Sequence, residues 1–368
     1  MEKKKKCMIF VGIFVCLLIV FGHINTSGIM AEMIDGYYEA AQTLFCPIIQ
    51  RKEETFSGTI LSDMIHIHYQ EVVPFLQYRT DYKDKDQQDL VQKDYYDFQD
   101  DETTDEVAQE VKKEAKIFHA KKWENAAYLR KYIYQIDNTT MATDGELNGK
   151  VLLNMDLKLK KSEKPQILIY HTHGSETYRG SRKGKKSDTV IGVGDVLTRK
   201  LSQKNIKVLH DRNVYDIKNG KEERSKAYNY AARSIEKNLK KYPSIRVVID
   251  LHRDGVNEKT KLITTQKGKQ MAQIMFFNGM SRTAANGNIK YLRNPNKQMN
   301  LAFSLQLQAQ AAIKYPGFTR KIYMKGYRYN LHYRGRSLLV EVGAQNNTLA
   351  QAKASMSLLA ELLNNVLY

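Results

Sequence analysis

The chain has 368 residues, 42% of them hydrophobic and 27% charged, which excludes a protein that is disordered throughout. Its length suits one sizeable domain with a tether or a smaller module. The formal charge of +18 favours a polyanionic partner or surface, such as nucleic acid, anionic lipid or a phosphate-rich wall polymer. The chain's 3 cysteines all lie within the first 46 residues, so we expect neither a disulfide framework nor a cysteine-based metal site.

Residues 1–25 are predicted to be a signal anchor. Four lysines at positions 3–6 precede an uncharged, mostly apolar run over residues 7–22, the layout of a basic region followed by a hydrophobic one. The run is short for a spanning helix of about 20 residues, but flanking lysines and bilayer thinning accommodate it. An uncleaved anchor is favoured over a cleaved signal peptide, and both over a buried helix. The rest of the chain is then expected outside the cytoplasmic membrane.

Residues 26–120 are predicted to form a juxtamembrane segment and an acidic linker. The window 81–110 holds twelve acidic residues against three lysines and has no apolar periodicity. We interpret it as a flexible linker or an exposed helix with no partner of its own.

Residues 121–368 are predicted to form one α/β domain. Beyond residue 165, short apolar runs alternate with segments of helical spacing, a pattern typical of a mostly parallel sheet flanked by helices. The predicted strands are residues 167–170, 206–209, 245–249, 274–277 and 338–342. The predicted helices are residues 190–203, 223–242, 297–315 and 349–367.

Acids and imidazoles follow three of these strands, at the sheet edge where reactive groups collect in such folds. A zinc hydrolase needs about three protein ligands, one open position for water and a nearby carboxylate as base. His173 and Glu176, in the spacing His-x-x-Glu, with His252 as third ligand, supply the zinc set. Glu341 is then the predicted catalytic base. Together these residues predict a zinc-dependent hydrolase.

Other residues near these positions have less certain roles. His171 is an alternative ligand, a partner of a ligand, or a catalytic group that donates to the leaving amine. Arg253 is predicted to hold a substrate carboxylate or stabilise an oxyanion, the alternative being a surface salt bridge. Asp250 and Asp254 flank His252 and are expected to orient its ring. A cleft position for His332 stays open. Four further histidines are expected to be structural: His66, His68, His119 and His210.

Four motifs resemble the stage II sporulation protein P family of endospore-forming bacteria. They are HTHGSETY at 171–178, LHRDG at 251–255, the stretch from PGFTR to RYN, and LLVEVGAQNNTLAQA at 338–352. The resemblance runs from about Trp123 to the C-terminus. It implies a fold akin to the zinc N-acetylmuramoyl-L-alanine amidases, with Glu341 as base and Glu176, His252 and one of His171 and His173 as ligands. The first motif differs from the Gly-His-Gly-Gly of those amidases.

The resemblance further implies hydrolysis of peptidoglycan, both at the amide between glycan and stem peptide and at peptide cross-links. It implies thinning of septal wall during forespore engulfment, with stage II sporulation proteins D and M as partners. A zinc peptidase or carboxypeptidase acting on stem peptides is one alternative, and a non-catalytic wall-binding scaffold is another. A nucleic-acid partner is disfavoured because the leader directs the chain outward and no nucleic-acid-binding motif is present.

Overall fold

The computed structural model describes residues 118–368. The predicted signal anchor, and nearly all of the predicted juxtamembrane segment and acidic linker, lie outside the described residues. Within residues 118–368, every helix is too short or too polar to cross a bilayer.

A seven-stranded sheet organises this part of the chain. Its strands are β1 (Tyr134–Ile136), β2 (Ile167–Tyr170), β3 (Val208–His210), β6 (Val247–Asp254), β9 (Ile274–Gly279), β12 (Ile322–Lys325) and β13 (Ser337–Ala344). The order across the sheet is β1-β12-β9-β13-β6-β2-β3. Neighbouring strands run parallel except β9 and β13, which are antiparallel. The prediction of a mostly parallel sheet is confirmed, with one reversal at its centre.

Three small two-stranded ribbons lie in the loops of the described residues. They are β4 (Ile217–Lys218) with β5 (Lys221–Glu222), β7 (Ile263–Gln266) with β8 (Lys269–Ala272), and β10 (Arg282–Thr283) with β11 (Gly287–Asn288).

The helices flank the sheet, as predicted. They are α1 (Ala120–Trp123), α2 (Ala126–Tyr128), α3 (Gly149–Asn154), α4 (Val190–Ser202), α5 (Arg224–Lys241), α6 (Lys297–Lys314) and α7 (Leu349–Leu367), with a π-helical turn at Leu129–Ile133 and 3₁₀ turns at Lys186–Asp188 and Lys290–Leu292. Helix α7 begins at a capping box, in which the Thr348 hydroxyl and the Gln351 side chain each accept the other's backbone N–H.

Alternation along the strands gives the sheet two different faces. On one, the core face, Ile249 and Leu251 of β6 pack into the main hydrophobic core with α4, α6 and α7. On the other, Val248 packs against α5, and a separate apolar cluster around Phe277 packs under residues 326–336. We call this second side the open face, because a cleft lies on it between α5 and that loop.

Strand β6 runs five residues beyond the strand predicted at 245–249. The apolar pattern ends early because every second residue after Val248 is polar and faces the open side, whereas Leu251 still faces the core. His252 therefore lies inside its strand rather than after it. Glu341 also lies within β13, and the two residues are register partners on adjacent strands.

Candidate active site

The cleft on the open face contains most of the predicted site residues. Its lining is His173, Glu176, Tyr228, His252, Arg253, Asp254, Gly255, Phe277, Tyr323, Lys325, Tyr329, Leu339 and Glu341. Loop residues after β2 supply His173 and Glu176, while β6 and β13 supply His252 and Glu341. The structure thus brings together the three predicted zinc ligands and the predicted base.

The three candidate ligands are buried and adjacent. Nδ1 of His252 lies 3.6 Å from Oε2 of Glu176, and the rings of His173 and His252 meet edge to face at 5.3 Å. Burial, reinforced by the nearby positive groups of His252 and Arg224, holds the pKa of His173 well below its usual value. His173 is therefore neutral, which is the form that binds a metal.

Asp250 fixes the ring of His252. Its carboxylate is fully buried, accepts hydrogen bonds from the backbone N and the hydroxyl of Thr172, and lies 2.7 Å from Nε2 of His252. Burial alone would lower the pKa of His252, but the carboxylates of Asp250, Glu176 and Glu341 together outweigh it and raise the pKa to about 9. Nε2 lies against Asp250, and Nδ1 is the nitrogen that faces Glu176.

Two arginines hold Glu176 at the cleft wall. Oε1 accepts a hydrogen bond from Nη2 of Arg224 at 2.9 Å, and Oε2 accepts one from the backbone N of Arg253 at 3.2 Å. The guanidinium of Arg253 donates to the carbonyl oxygens of Thr177 and Asp254. Arg253 is thereby fixed as a cation beside the candidate ligands. Asp254 does not orient His252, because its carboxylate pairs with Arg320 at 2.5 Å.

Glu341 has the environment of a general base. Its Oε2 is enclosed and has no hydrogen-bond partner among the described residues. Burial raises the pKa of Glu341 to about 8, even though the nearby His252 opposes the shift. A bulge follows directly, where Gly343 adopts a φ of +59° and an added Cβ would lie 2.5 Å from Oδ1 of Asn347. Only glycine fits this bulge, which lies within the strand two residues past Glu341.

The residues present suit a zinc ion by the chemistry of their donor atoms. Two imidazoles and one carboxylate are a common zinc set, and ligand atoms about 2.0 Å from a tetrahedral ion lie about 3.3 Å apart. The 3.6 Å between His252 and Glu176 is close to that separation. Across residues 118–368, no group of three His, Cys, Asp or Glu side chains is placed so that it could hold a metal ion as it stands. Zinc binding would therefore require these side chains to move.

His171 lies outside the cleft. Its Nδ1 is 2.8 Å from the carbonyl oxygen of Leu251, and its Nε2 is 2.8 Å from Nε2 of His210. His210 in turn lies 3.0 Å from Asp195. Both ring nitrogens of His171 are thus engaged away from the cleft, because the chain turns immediately after this residue and carries only His173 to the open face. The structure brings His173, and not His171, to the other candidate ligands.

His332 is likewise not part of the cleft lining. Burial and the nearby Arg328 lower its pKa to about 3, so the ring is neutral.

Sequence reasoning missed three residues around the ligands. Asp216 is fully buried, accepts hydrogen bonds from the backbone N and hydroxyl of Ser175, and lies 4.0 Å from Nδ1 of His173. Arg224 and Tyr228 come from the first turns of α5. All three lie in a loop or on a helix that carries no metal-ligand spacing, so the sequence contained no local signal for them.

Comparison with known proteins identifies the family. The family model for stage II sporulation protein P matches residues 52–364. The chain belongs to this family. Stage II sporulation protein P of Bacillus subtilis (strain 168) is 24% identical over 271 residues, which cover 68% of this chain and 60% of that relative. The alignment therefore covers less than two thirds of the relative's length. The family match confirms the resemblance found in the motifs.

Two solved amidases also match this family member. The CwlD amidase of Clostridioides difficile, solved with the GerS lipoprotein, is 12% identical, and the match covers 54% of this chain and 99% of the amidase with a TM-score of 0.32. An apo N-acetylmuramyl-L-alanine amidase from Mycobacterium abscessus is 15% identical, with 54% and 95% covered and a TM-score of 0.33. Both TM-scores are below 0.5, so neither match bears on the fold or the activity.

Proposed function

We propose that this family member is a zinc-dependent peptidoglycan hydrolase of sporulation that acts as an N-acetylmuramoyl-L-alanine amidase. The observation that supports it is the meeting of His173, Glu176, His252 and Glu341 in one cleft. Membership of a sporulation family supports the biological setting. Hydrolysis of peptide cross-links, a role in thinning septal wall during engulfment, and partnership with stage II sporulation proteins D and M belong to the same proposal.

The proposal places the catalytic domain on the outer side of the cytoplasmic membrane, tethered by residues 1–25. A basic cluster before an apolar run supports this orientation, because lysines stay on the cytoplasmic side. The formal charge of +18 suits an anionic wall.

His173, Glu176 and His252 would hold the ion, which when bound supplies a Lewis acid and an activated water. Glu341 is the register partner of His252 and so lies beside the reacting atoms. Its raised pKa suits a carboxyl that takes a proton near neutral pH and returns it to the leaving amine. Arg253, fixed at the cleft wall, provides positive charge for the substrate carbonyl or a carboxylate.

The test is product analysis by mass spectrometry after the full chain, in detergent, is incubated with purified peptidoglycan. With zinc we expect free stem peptides to be released, and with a chelator none. Glu341→Gln should lower turnover at least about a hundredfold, the usual contribution of a general base. Glu163→Gln is the matched control, because Glu163 is exposed, precedes β2 and pairs with the surface Lys207.

Other outcomes separate the alternatives. Near-normal turnover of Glu341→Gln with zinc bound would contradict the assigned base. Release of terminal amino acids alone would favour a carboxypeptidase. Binding to the wall without products under every condition would favour a scaffold.

A further inference from the structure

The segment after Glu176 carries a dense positive charge. We call residues 177–189 the basic arm, because they hold five basic residues against one acidic residue. The five are all exposed: Arg179, Arg182, Lys183, Lys185 and Lys186. An antiparallel bridge between Thr177 and Thr189 joins the ends of the arm, and Nε of Arg253, a cleft residue, donates to the carbonyl oxygen of Thr177. The basic arm therefore begins at the cleft wall.

Hydrogen bonds give the basic arm a defined shape. The Ser181 hydroxyl donates to the carbonyl oxygen of Asp188 at 2.6 Å, and the Asp188 carboxylate accepts two hydrogen bonds from the guanidinium of Arg182 at 2.6 and 3.0 Å. Helix α7 holds the arm from outside, because Nζ of Lys353 donates to the carbonyl oxygen of Ser187 at 2.9 Å. A segment fixed in this way loses little conformational freedom when it binds a partner.

Most of the positive charge on the basic arm is not neutralised within the described residues. Arg182 pairs with Asp188. The other four basic residues form no ion pair within residues 118–368: Arg179, Lys183, Lys185 and Lys186. Like charges held close together repel one another, and a polyanion that binds them relieves the repulsion and releases its own counterions. The arm therefore offers four fixed, exposed cations to an anionic partner.

The composition of the basic arm distinguishes between kinds of polyanion. Residues 179–187 contain no aromatic or aliphatic side chain, and the one aromatic residue of the arm, Tyr178, is buried and donates to the carbonyl oxygen of Val342. Single-stranded nucleic acids are held by stacking on aromatic side chains, and membrane-surface segments insert apolar side chains into the bilayer. An arm with neither feature suits a polymer of phosphodiesters without bases, which charge alone can bind.

We propose that the basic arm binds a phosphodiester polymer of the cell wall and so holds the cleft against the wall. The arm begins one residue after Glu176, so a polymer bound there lies beside the candidate active site. The inference rests on the outer location given under the proposed function, but binding at the arm requires neither zinc nor hydrolysis. Failure of hydrolysis would therefore leave this proposal intact, and failure of polymer binding would leave the hydrolase intact.

The test measures binding of the full chain, in detergent, to fluorescently labelled poly(glycerol phosphate) by anisotropy over a range of salt concentrations. The arm variant combines four substitutions: Arg179→Gln, Lys183→Gln, Lys185→Gln and Lys186→Gln. We expect it to bind at least about tenfold more weakly than the wild type at low salt. The slope of log affinity against log salt should become shallower by about 0.7 for each cation removed.

A matched control variant removes the same charge from four exposed lysines elsewhere: Lys150→Gln, Lys160→Gln, Lys237→Gln and Lys240→Gln. Its affinity should stay within about threefold of the wild type, because charges farther than a Debye length of about 10 Å from the polymer are screened. Equal losses in the two variants would overturn the basic arm as the binding surface.

Two further ligands test the choice of partner. A single-stranded oligothymidylate with the same number of phosphates should bind no more tightly than the polymer, and micelles containing phosphatidylglycerol at equal phosphate concentration should not displace it. Tighter oligothymidylate binding, or displacement by the micelles, would overturn the wall polymer in favour of nucleic acid or membrane. No polymer binding by the wild type would overturn the proposal and leave the acidic window at 81–110 as the counter-charge of the arm. If the arm variant unfolds, Lys183→Gln with Lys185→Gln replaces it.

Discussion

Asp250 connects a buried charge to the orientation of a candidate zinc ligand. Its carboxylate lies 2.7 Å from Nε2 of His252 and is itself held by two hydrogen bonds from Thr172. Carboxylates in this position make the imidazole a better ligand and fix its ring. We expect Asp250→Asn, which keeps the shape but removes the charge, to lower zinc affinity about 10–100-fold. Competition against a fluorescent zinc chelator measures the change.

The control is Asp195→Asn. Asp195 also lies beside an imidazole, 3.0 Å from Nδ1 of His210, but outside the cleft lining. It should bind zinc as the wild type does. If both variants lose affinity equally, the effect comes from general loosening of the domain and not from the orientation of His252.

Residue types and spacing predicted His173, Glu176, His252 and Glu341, and the structure places all four in one cleft. Spacing left the choice between His171 and His173 open, because the turn that separates their side chains has no marker in the sequence. Asp216 and Arg224 were missed for a similar reason. Their roles depend on long-range packing of a loop and a helix end against the turn after β2.

At the scale of elements, helix α6 supports the cleft from the core side. A polar stripe along it bonds to groups outside the helix: Asn300 to Leu331 and Ser337, Ser304 to Asn278, and Gln308 to Arg320. Asn300 has the central position, since it donates to the carbonyl of Leu331 and accepts from the backbone N of Ser337. One side chain therefore anchors both the loop that carries Tyr329 and the start of β13.

We expect Asn300→Leu to lower the free energy of unfolding by about 2–4 kcal/mol. The substitution keeps the volume but leaves two buried backbone groups, at Leu331 and Ser337, without partners, at about 1–3 kcal/mol each. Urea unfolding followed by Trp123 fluorescence measures the change. Gln310→Leu, a half-buried position on the same helix, should stay within about 0.5 kcal/mol of the wild type. An equal loss in both variants would contradict a specific anchoring role for Asn300.

The main elements could be predicted because their apolar periodicity is strong. The predicted strand at 167–170 and helix at 349–367 have the observed bounds. Strands β1 and β12 were missed because short strands carry little apolar pattern. The reversal between β9 and β13 was missed because strand direction depends on which distant segments pair. The end of β6 was missed because its polar residues are buried at the cleft, where function overrides the apolar pattern.

At the scale of the whole molecule, zinc would join segments that are distant in the chain. His173 lies in the loop after β2 and His252 lies in β6, so an ion held by both favours the folded state over the unfolded chain. Trp123, the only tryptophan of the chain, is fully buried in the main core and is not part of the cleft lining. Its fluorescence therefore reports unfolding of the domain rather than a local change at the metal.

We expect zinc at 100 times its dissociation constant to raise the free energy of unfolding by about 2.7 kcal/mol, and the Trp123 transition to move to higher temperature accordingly. A chelator should reverse the shift, and magnesium should not reproduce it, because imidazole ligands disfavour that ion. His252→Ala should abolish the shift, whereas His332→Gln, a histidine outside the cleft lining, should preserve it. Equal zinc shifts in His252→Ala and the wild type would place the ion elsewhere in the chain. Because the measurement requires no substrate, it separates metal binding from the proposed hydrolysis.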